Sequence, residues 1–357
     1  MRWDSLRTTA EPAEALPLDL SAVVEAPASQ GTGRAGLRAP GPEPIAGGTD
    51  ESLAVEIRAK SIINRVPAAS HMAFSWTINP YRGCSHACLY CYARRTHTYL
   101  DLDAGTDFDT KIMVKVNAGE LLRRELASPR WAGESIAMGT NTDPYQRAEG
   151  RYRLMREIIS TLRDRSNPFS ILTKGPLILR DLDLIRVAAE RAQVSIAVSV
   201  GSVDEALWRE AEPGTPAPAR RLDVVRRFAD AGIGCSVLMA PILPGLSDSP
   251  EQIERTVAAI AAAGADGVTP LLLHLRPGAR EWYRAWLERS HPRLMPLYDR
   301  LYRGGSYAPR VYQRTVTTMV RDAARRHGLD RRPAASFRES GAEPAQVPPA
   351  PEQLTLT

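Results

Sequence analysis

A chain of 357 residues has room for one large domain or two small ones. Hydrophobic residues make up 43% and charged residues 24%, and no run of about 18 apolar residues offers a transmembrane helix. The net charge of +5 and the pI of about 9.1 are mildly basic, and four cysteines, three of them in one short run, do not make a disulfide framework. The opening MRWDSLRTTAEPAEALPLDL lacks the apolar core of a secretory signal, so the expected location is a reducing cytoplasm, with no membrane partner.

Residues 1–50 are rich in Pro, Ala, Gly and Glu without periodicity, which predicts a disordered arm, acidic with seven Asp or Glu against four Arg. From 51 to 275 short apolar runs alternate with amphipathic stretches. The predicted strands are AFSWTI (73–78), SIAMGT (135–140), FSILTK (169–174), VSIAVSV (194–200), CSVLMA (235–240) and TPLLLHL (269–275). Such near-continuous apolar runs predict parallel strands buried on both faces. Helices between them are marked by Leu154, Ile158, Ile159 and Leu162; by Leu184, Ile185 and Ala188; by Leu222, Val225 and Phe228; and by Ile253, Val257 and Ile260. Asp181 is the predicted N-cap of the second, and Asp248-Ser249-Pro250 starts the fourth. Strand–helix repetition means right-handed βαβ crossovers and a parallel sheet. Six units are too few for a closed eight-stranded barrel. The predicted fold class is therefore α/β, a partial (β/α)6 barrel over 51–275 with its binding residues at the carboxyl ends of the strands.

From 276 the pattern turns helical, with stripes at Trp282, Tyr283, Trp286 and Leu287 and at Leu294, Leu297, Tyr298 and Leu301, both read as core. They predict a helical, basic C-terminal extension over 276–334 packed on the barrel, followed by a disordered tail over 335–357. Arg276 to Arg338 holds fifteen Arg, no Lys and five acids. Such a stretch attracts polyanions, and it equally suits the solvated face of an Arg-rich protein.

The chemistry concentrates in NPYRGCSHACLYCYAR, where Cys84, Cys88 and Cys91 are spaced C-x3-C-x2-C. The run follows the first predicted strand, and Asn79-Pro80 and Gly83 suit a loop. Iron–sulfur clusters usually have four cysteine ligands, so three leave one iron open to a substrate or cofactor. The alternatives are a zinc site completed by His86, His71 or His97, an electron-transfer centre, and a metal-binding scaffold without turnover. Zinc sites favour repeated C-x2-C pairs, and there is no second pair here. Cys235 stands alone and reads as a buried small hydrophobe.

The three-cysteine run behind a first strand, with Tyr90 just before the third cysteine, resembles the radical S-adenosylmethionine (SAM) superfamily. NPYRGCSHACLYCYAR and TNTDPYQ resemble its branch related to spore photoproduct lyase, over roughly residues 55–300. The resemblance implies a [4Fe–4S] cluster on Cys84, Cys88 and Cys91, with SAM chelated at the free iron through its amino and carboxylate groups. It also implies a reductant such as flavodoxin or ferredoxin. Reductive cleavage of the sulfonium would give methionine and a 5′-deoxyadenosyl radical that abstracts hydrogen from a substrate. An enclosed, water-poor cavity suits such a radical.

By the same resemblance Tyr90 lies near the adenine and Tyr92 near the methionyl part or the radical path; the plain reading of both is packing. Thr140, Asn141, Thr142 and Asp143, at the end of the second predicted strand, suit SAM's amino group, with Thr142 the best match to a SAM-contacting hydroxyl. A turn with an Asp-Pro breaker is the plain reading there. Lys174 needs an anion, which is SAM's carboxylate by resemblance or an Asp or Glu in a buried pair. Ser199 is a candidate donor to the cofactor, and backbone at Met239 and Ala240 is placed at the adenine. Glu212 is expected as surface charge at a helix end, the alternative being a contact to substrate or to the cofactor ribose. Some of the lyases carry a hydrogen-donating cysteine near the second strand end, where this chain reads MGTNTD. The substrate thus stays open between a nucleic-acid lesion or base and a small molecule or protein.

Overall fold

The computed structural model describes residues 6–7, 52–67 and 72–329. The predicted arm (Leu6–Arg7 apart), the predicted tail and His71 lie outside the described residues. In chain order the strands are β1 (Leu6–Arg7), β2 (Leu53–Ile57), β3 (Ile63–Arg65), β4 (Trp76–Ile78), β5 (Tyr81–Arg82), β6 (Lys111–Lys115), β7 (Ile136–Met138), β8 (Phe169–Thr173), β9 (Val194–Ser199), β10 (Cys235–Ile242) and β11 (Val268–Leu272). The α-helices are α1 (Thr106–Thr110), α2 (Ala118–Leu126), α3 (Arg147–Tyr152), α4 (Leu154–Asp164), α5 (Leu182–Ala189), α6 (Glu205–Ala211), α7 (Pro218–Asp230), α8 (Pro250–Ala262), α9 (Ala279–Ser290), α10 (Met295–Leu301) and α11 (Arg310–Arg326).

All six predicted strands are present, as β4 and β7 to β11. Among the described residues they form one sheet of order β11-β10-β9-β8-β7-β4-β3, in which only β3 runs antiparallel to its neighbour. Its two end strands, β3 and β11, do not pair with each other, so the barrel is partial and open. The four predicted helices are α4, α5, α7 and α8. Their apolar stripes join the core around Ile158, Ile185, Val225 and Val257, each fully buried.

The central strands are buried on both faces as expected, and the register shows that the two faces differ in kind. Trp76 pairs with Ile136, Ile136 with Phe169 and Phe169 with Val194, while Thr77, Ala137, Ser170 and Ser195 are aligned one residue later. Side chains alternate between faces. One face therefore carries Ile78, Ile136, Met138, Phe169, Ile171, Ile196, Val198, Val237 and Met239, all in the core with the helices. The other carries Thr77, Asn79, Ser170, Lys174, Ser195 and Ser199 with small or half-buried apolar residues, and faces the barrel interior. A run such as FSILTK thus sends Phe169 and Ile171 to the outer row and Ser170 and Lys174 to the inner one.

A second sheet, β1-β2-β6-β5, was not predicted. Its strands β1, β2 and β6 are parallel, and β5 closes it antiparallel to β6. Ser249 caps α8 as expected, its hydroxyl accepting from Gln252 N at 3.2 Å. Asp181 stands at the start of α5 but does not cap it. Its carboxylate is instead drawn to Tyr145 (3.1 Å), Arg156 (3.2 Å) and Arg180 (3.0 Å), and charged donors of this kind outweigh a backbone N–H. In the C-terminal region α11 packs on α8 and β11, and α9 packs on a 3-10 helix, Tyr92–Leu100, that follows the cysteine run. Trp282, read as core, is only half-buried and covers Arg94.

Candidate active site

The cysteine run leaves β4 at a carboxyl end and passes through β5, which ties it to the second sheet at Tyr81–Val114 and Arg82–Met113. Gly83 then turns with φ +84°, and a Cβ there would sit 2.7 Å from the Lys111 carbonyl oxygen, so only glycine fits. Cys84 N donates to the Phe108 carbonyl at 2.9 Å. Gln146, fully buried, accepts from Ser85 N and donates to the Gly83 carbonyl, both at 3.0 Å. Leu89 N donates to the Ala211 carbonyl (3.0 Å) and Gly214 N to that of His86 (3.1 Å). The loop is held from four sides before any ligand binds.

Cys84 and Cys88 are buried, Cys91 is half-buried, and all three are free thiols. Burial pushes each thiol up, Cys88 to about 12 and Cys84 well above its ordinary value, and their mutual repulsion adds to the rise at Cys84. Such thiols ionise when a cation compensates them. Among the described residues no three His, Cys, Asp or Glu side chains converge on a point that could hold a single metal ion. A four-iron cluster takes one thiolate per iron and needs its ligands farther apart. His86 is engaged by Asp143 (3.4 Å) and His97 by the Lys111 carbonyl (3.0 Å). Asn79, 4% exposed at the end of β4, has neither its Nδ2 nor its Oδ1 bonded to the described residues. Three free thiols on one restrained loop, with no second C-x2-C pair and both described candidate histidines engaged elsewhere, fit an iron–sulfur cluster better than zinc.

A polar network spans the carboxyl ends of β8, β9 and β10. Lys174 Nζ donates to Ser199 Oγ (2.8 Å) and to Glu212 Oε1 (3.1 Å), and lies 5.7 Å from the centre of the Tyr90 ring. Ser199 Oγ donates in turn to the Ala240 carbonyl at 3.0 Å, bringing Lys174, Ser199 and Ala240 together. Met239 is fully buried beside them. Tyr90 and Arg221 both donate to Glu212, and Thr215 Oγ1 donates to it at 3.2 Å. Glu212 is therefore a buried hub and not the expected surface charge. Burial works against its ionisation, but Arg221 and Lys174 more than offset this and hold its carboxyl far below the usual range.

The segment 140–143 divides. Thr142, 4% exposed, donates to the Tyr81 carbonyl at 3.0 Å. Asp143 accepts from Thr173 Oγ1, Lys174 N and Tyr145 N at 2.6 to 2.8 Å, so it braces the turn. Thr140 and Asn141 are half-buried, and the Thr140 carbonyl accepts from the Tyr92 hydroxyl. Tyr92 is 42% exposed, with the Arg276 guanidinium 5.7 Å from its ring centre. Arg276 donates to Tyr307 at 3.1 Å, and the Tyr307 ring meets His274 edge-on at 4.4 Å.

Sequence reasoning missed Gln146, Arg94, Asn79 and Arg221. The first three lie inside the stretches that carry the resemblance, TNTDPYQ and NPYRGCSHACLYCYAR. A glutamine or arginine beside a ligand loop is a signal for backbone anchoring that can be sought.

Residues 78–260 match the model of the radical SAM superfamily. An uncharacterized protein of Mycobacterium tuberculosis is 49% identical over 294 residues, 82% of this chain and 86% of the relative. One of Methanocaldococcus jannaschii is 29% identical over 196 residues, 54% of this chain and 69% of the relative. Among solved structures, spore photoproduct lyase complexed with dinucleoside spore photoproduct aligns with TM-score 0.58 at 16% identity, covering 78% of this chain and 80% of that one. A doubly substituted mutant of that lyase, with bound AdoMet and dinucleoside spore photoproduct, aligns equally, TM-score 0.58 at 17% identity over 78% and 80%. At these identities the likeness is one of fold.

Proposed function

The chain belongs to the radical SAM superfamily, and from that premise we propose that it is an enzyme that cleaves SAM reductively and abstracts hydrogen from a substrate held in the open barrel. The observation that carries this reading is the restrained loop with its three free thiols at the carboxyl ends of the sheet. Cys84, Cys88 and Cys91 hold the [4Fe–4S] cluster. When bound, cluster and SAM supply the electron and the 5′-deoxyadenosyl radical, with a flavodoxin or ferredoxin as the external reductant.

The remaining steps fall to side chains of the network. Lys174 presents its ammonium to SAM's carboxylate, with Ser199 beside it and Glu212 holding the charge in place. Thr140, Asn141 and Thr142 offer oxygens to SAM's amino group, and Asp143 keeps their turn in shape. Tyr90 and the Ala240 backbone flank the adenine. Tyr92, exposed beside Cys91, would lie on the substrate side of the bound cofactor.

The substrate reading is a nucleic acid. Arg276, Tyr92, Tyr307 and His274 form a cationic, aromatic strip, chemistry that grips phosphate and stacks bases. The similarly folded lyase is described with a dinucleoside.

Anaerobic reconstitution should give about four irons and four sulfides per chain. Dithionite with SAM should then release 5′-deoxyadenosine, and the triple Cys→Ala variant should do neither. A clean cluster with no cleavage under any reductant would leave a binding scaffold. For the substrate, DNA binding that weakens with salt is expected, and its absence at low salt would remove the nucleic-acid reading.

A further inference from the structure

Arg94, three residues past the last cysteine of the run, is completely buried. Its Nε and Nη2 both donate to the Cys88 carbonyl, at 3.2 and 3.0 Å. Nη1 donates to the Gly105 carbonyl (3.0 Å), and Nη2 also grips Asp109 at 3.0 and 2.9 Å. The Trp282 ring from α9 closes over the guanidinium at 4.8 Å, and Phe108 lies 5.4 Å away on the same group. A fully desolvated arginine is retained only where several acceptors offset its burial. One of those acceptors here is the backbone of a cluster ligand.

We propose that Arg94 is a positioning residue for the cluster: it locks the Cys88 carbonyl, places positive charge under the cysteine loop, and is itself clamped by Trp282 of the C-terminal extension. This rests on the cluster assignment made above. The planar fork matters, because Nε and Nη2 share the Cys88 carbonyl while Nη1 and Nη2 reach Gly105 and Asp109. Charge matters too. Each electron added to the cluster makes it more negative, so a buried cation close by favours the reduced state and raises the potential. The extension is thereby coupled to the redox centre through Arg94. Trp282 keeps water off the guanidinium, and water would screen its charge.

The test compares reconstituted wild type with Arg94→Gln, Arg94→Lys and Trp282→Leu, reading iron and sulfide content and the midpoint potential by electron paramagnetic resonance. Thermal unfolding of the apo chains checks the fold. Arg94→Gln should shift the midpoint to more negative potential and lose part of the cluster. Arg94→Lys should keep a potential near wild type yet still lose cluster, because a lysine cannot make the fork. Trp282→Leu should move the midpoint in the same direction as Arg94→Gln, by less. If Arg94→Gln fails to fold, the other two variants carry the test. Wild-type midpoint and cluster content in every variant that folds would overturn the proposal. A wild type that takes up no cluster at all would instead overturn the function from which it starts.

Discussion

Lys174 and Glu212, 38 residues apart, meet over the carboxyl ends of the sheet with Nζ 3.1 Å from Oε1, and both are largely buried. The lysine expected to serve an external carboxylate is thus held ready by an internal one. If it serves both, Lys174→Met should weaken SAM binding to the reconstituted enzyme by about 10- to 100-fold, the scale of one charge-assisted hydrogen bond. Calorimetric titration checks this, and unchanged affinity would assign Lys174 to structure alone.

Removing Glu212 leaves Arg221 and Lys174 buried and uncompensated. Glu212→Ala should therefore cost about 3 kcal/mol of stability in the apo chain, measured by urea unfolding. Glu212→Gln removes the charge but keeps one accepting oxygen and the side-chain volume, so it should cost less. Equal costs for the two would mean that losing the charge accounts for the whole effect.

Gly83→Ala should damage the cysteine loop specifically. Its Cβ would press on the Lys111 carbonyl at 2.7 Å and on the His97 ring at 2.9 Å, in a backbone conformation with φ +84°. Gly232 also has positive φ, +72°, but none of the described atoms lies within 4 Å of the Cβ an alanine would bring there. Gly232→Ala should bear only the backbone cost, about 1–2 kcal/mol, while retaining iron uptake. Gly83→Ala should lose more stability and most of its iron, as read by melting temperature and metal analysis.

His274 gives a pH signature. Burial, and then repulsion from Arg276, pull its imidazole down to about 4. Between there and its ordinary value near 6.5, the unfolded chain binds a proton that the folded chain refuses. Its contribution is therefore complete above that range and is lost as pH falls through it. Wild type should lose more of its urea midpoint between pH 7.5 and 5 than His274→Phe does. Parallel losses in both chains would refute the assignment.

The strands of the main sheet were legible because FSILTK, VSIAVSV and CSVLMA are near-continuous apolar runs. Their two-sidedness was not, since it depends on which residue of one strand pairs with which of the next. The second sheet stayed hidden for a similar reason: β5 has two residues, too few for any alternation to show. At the site, the three cysteines announce themselves by spacing. Glu212 sits in REAEPGTPAPARR and resembles solvent-facing charge; its burial is decided by Lys174 and Arg221, partners that local patterning cannot see. Asp181 misled in the opposite way, because a good capping residue was claimed by arginines from other turns.

The sheet's two end strands, β3 and β11, never join. No ladder of main-chain bonds therefore ties one to the other, and the spacing of these two strands is left to side-chain packing alone.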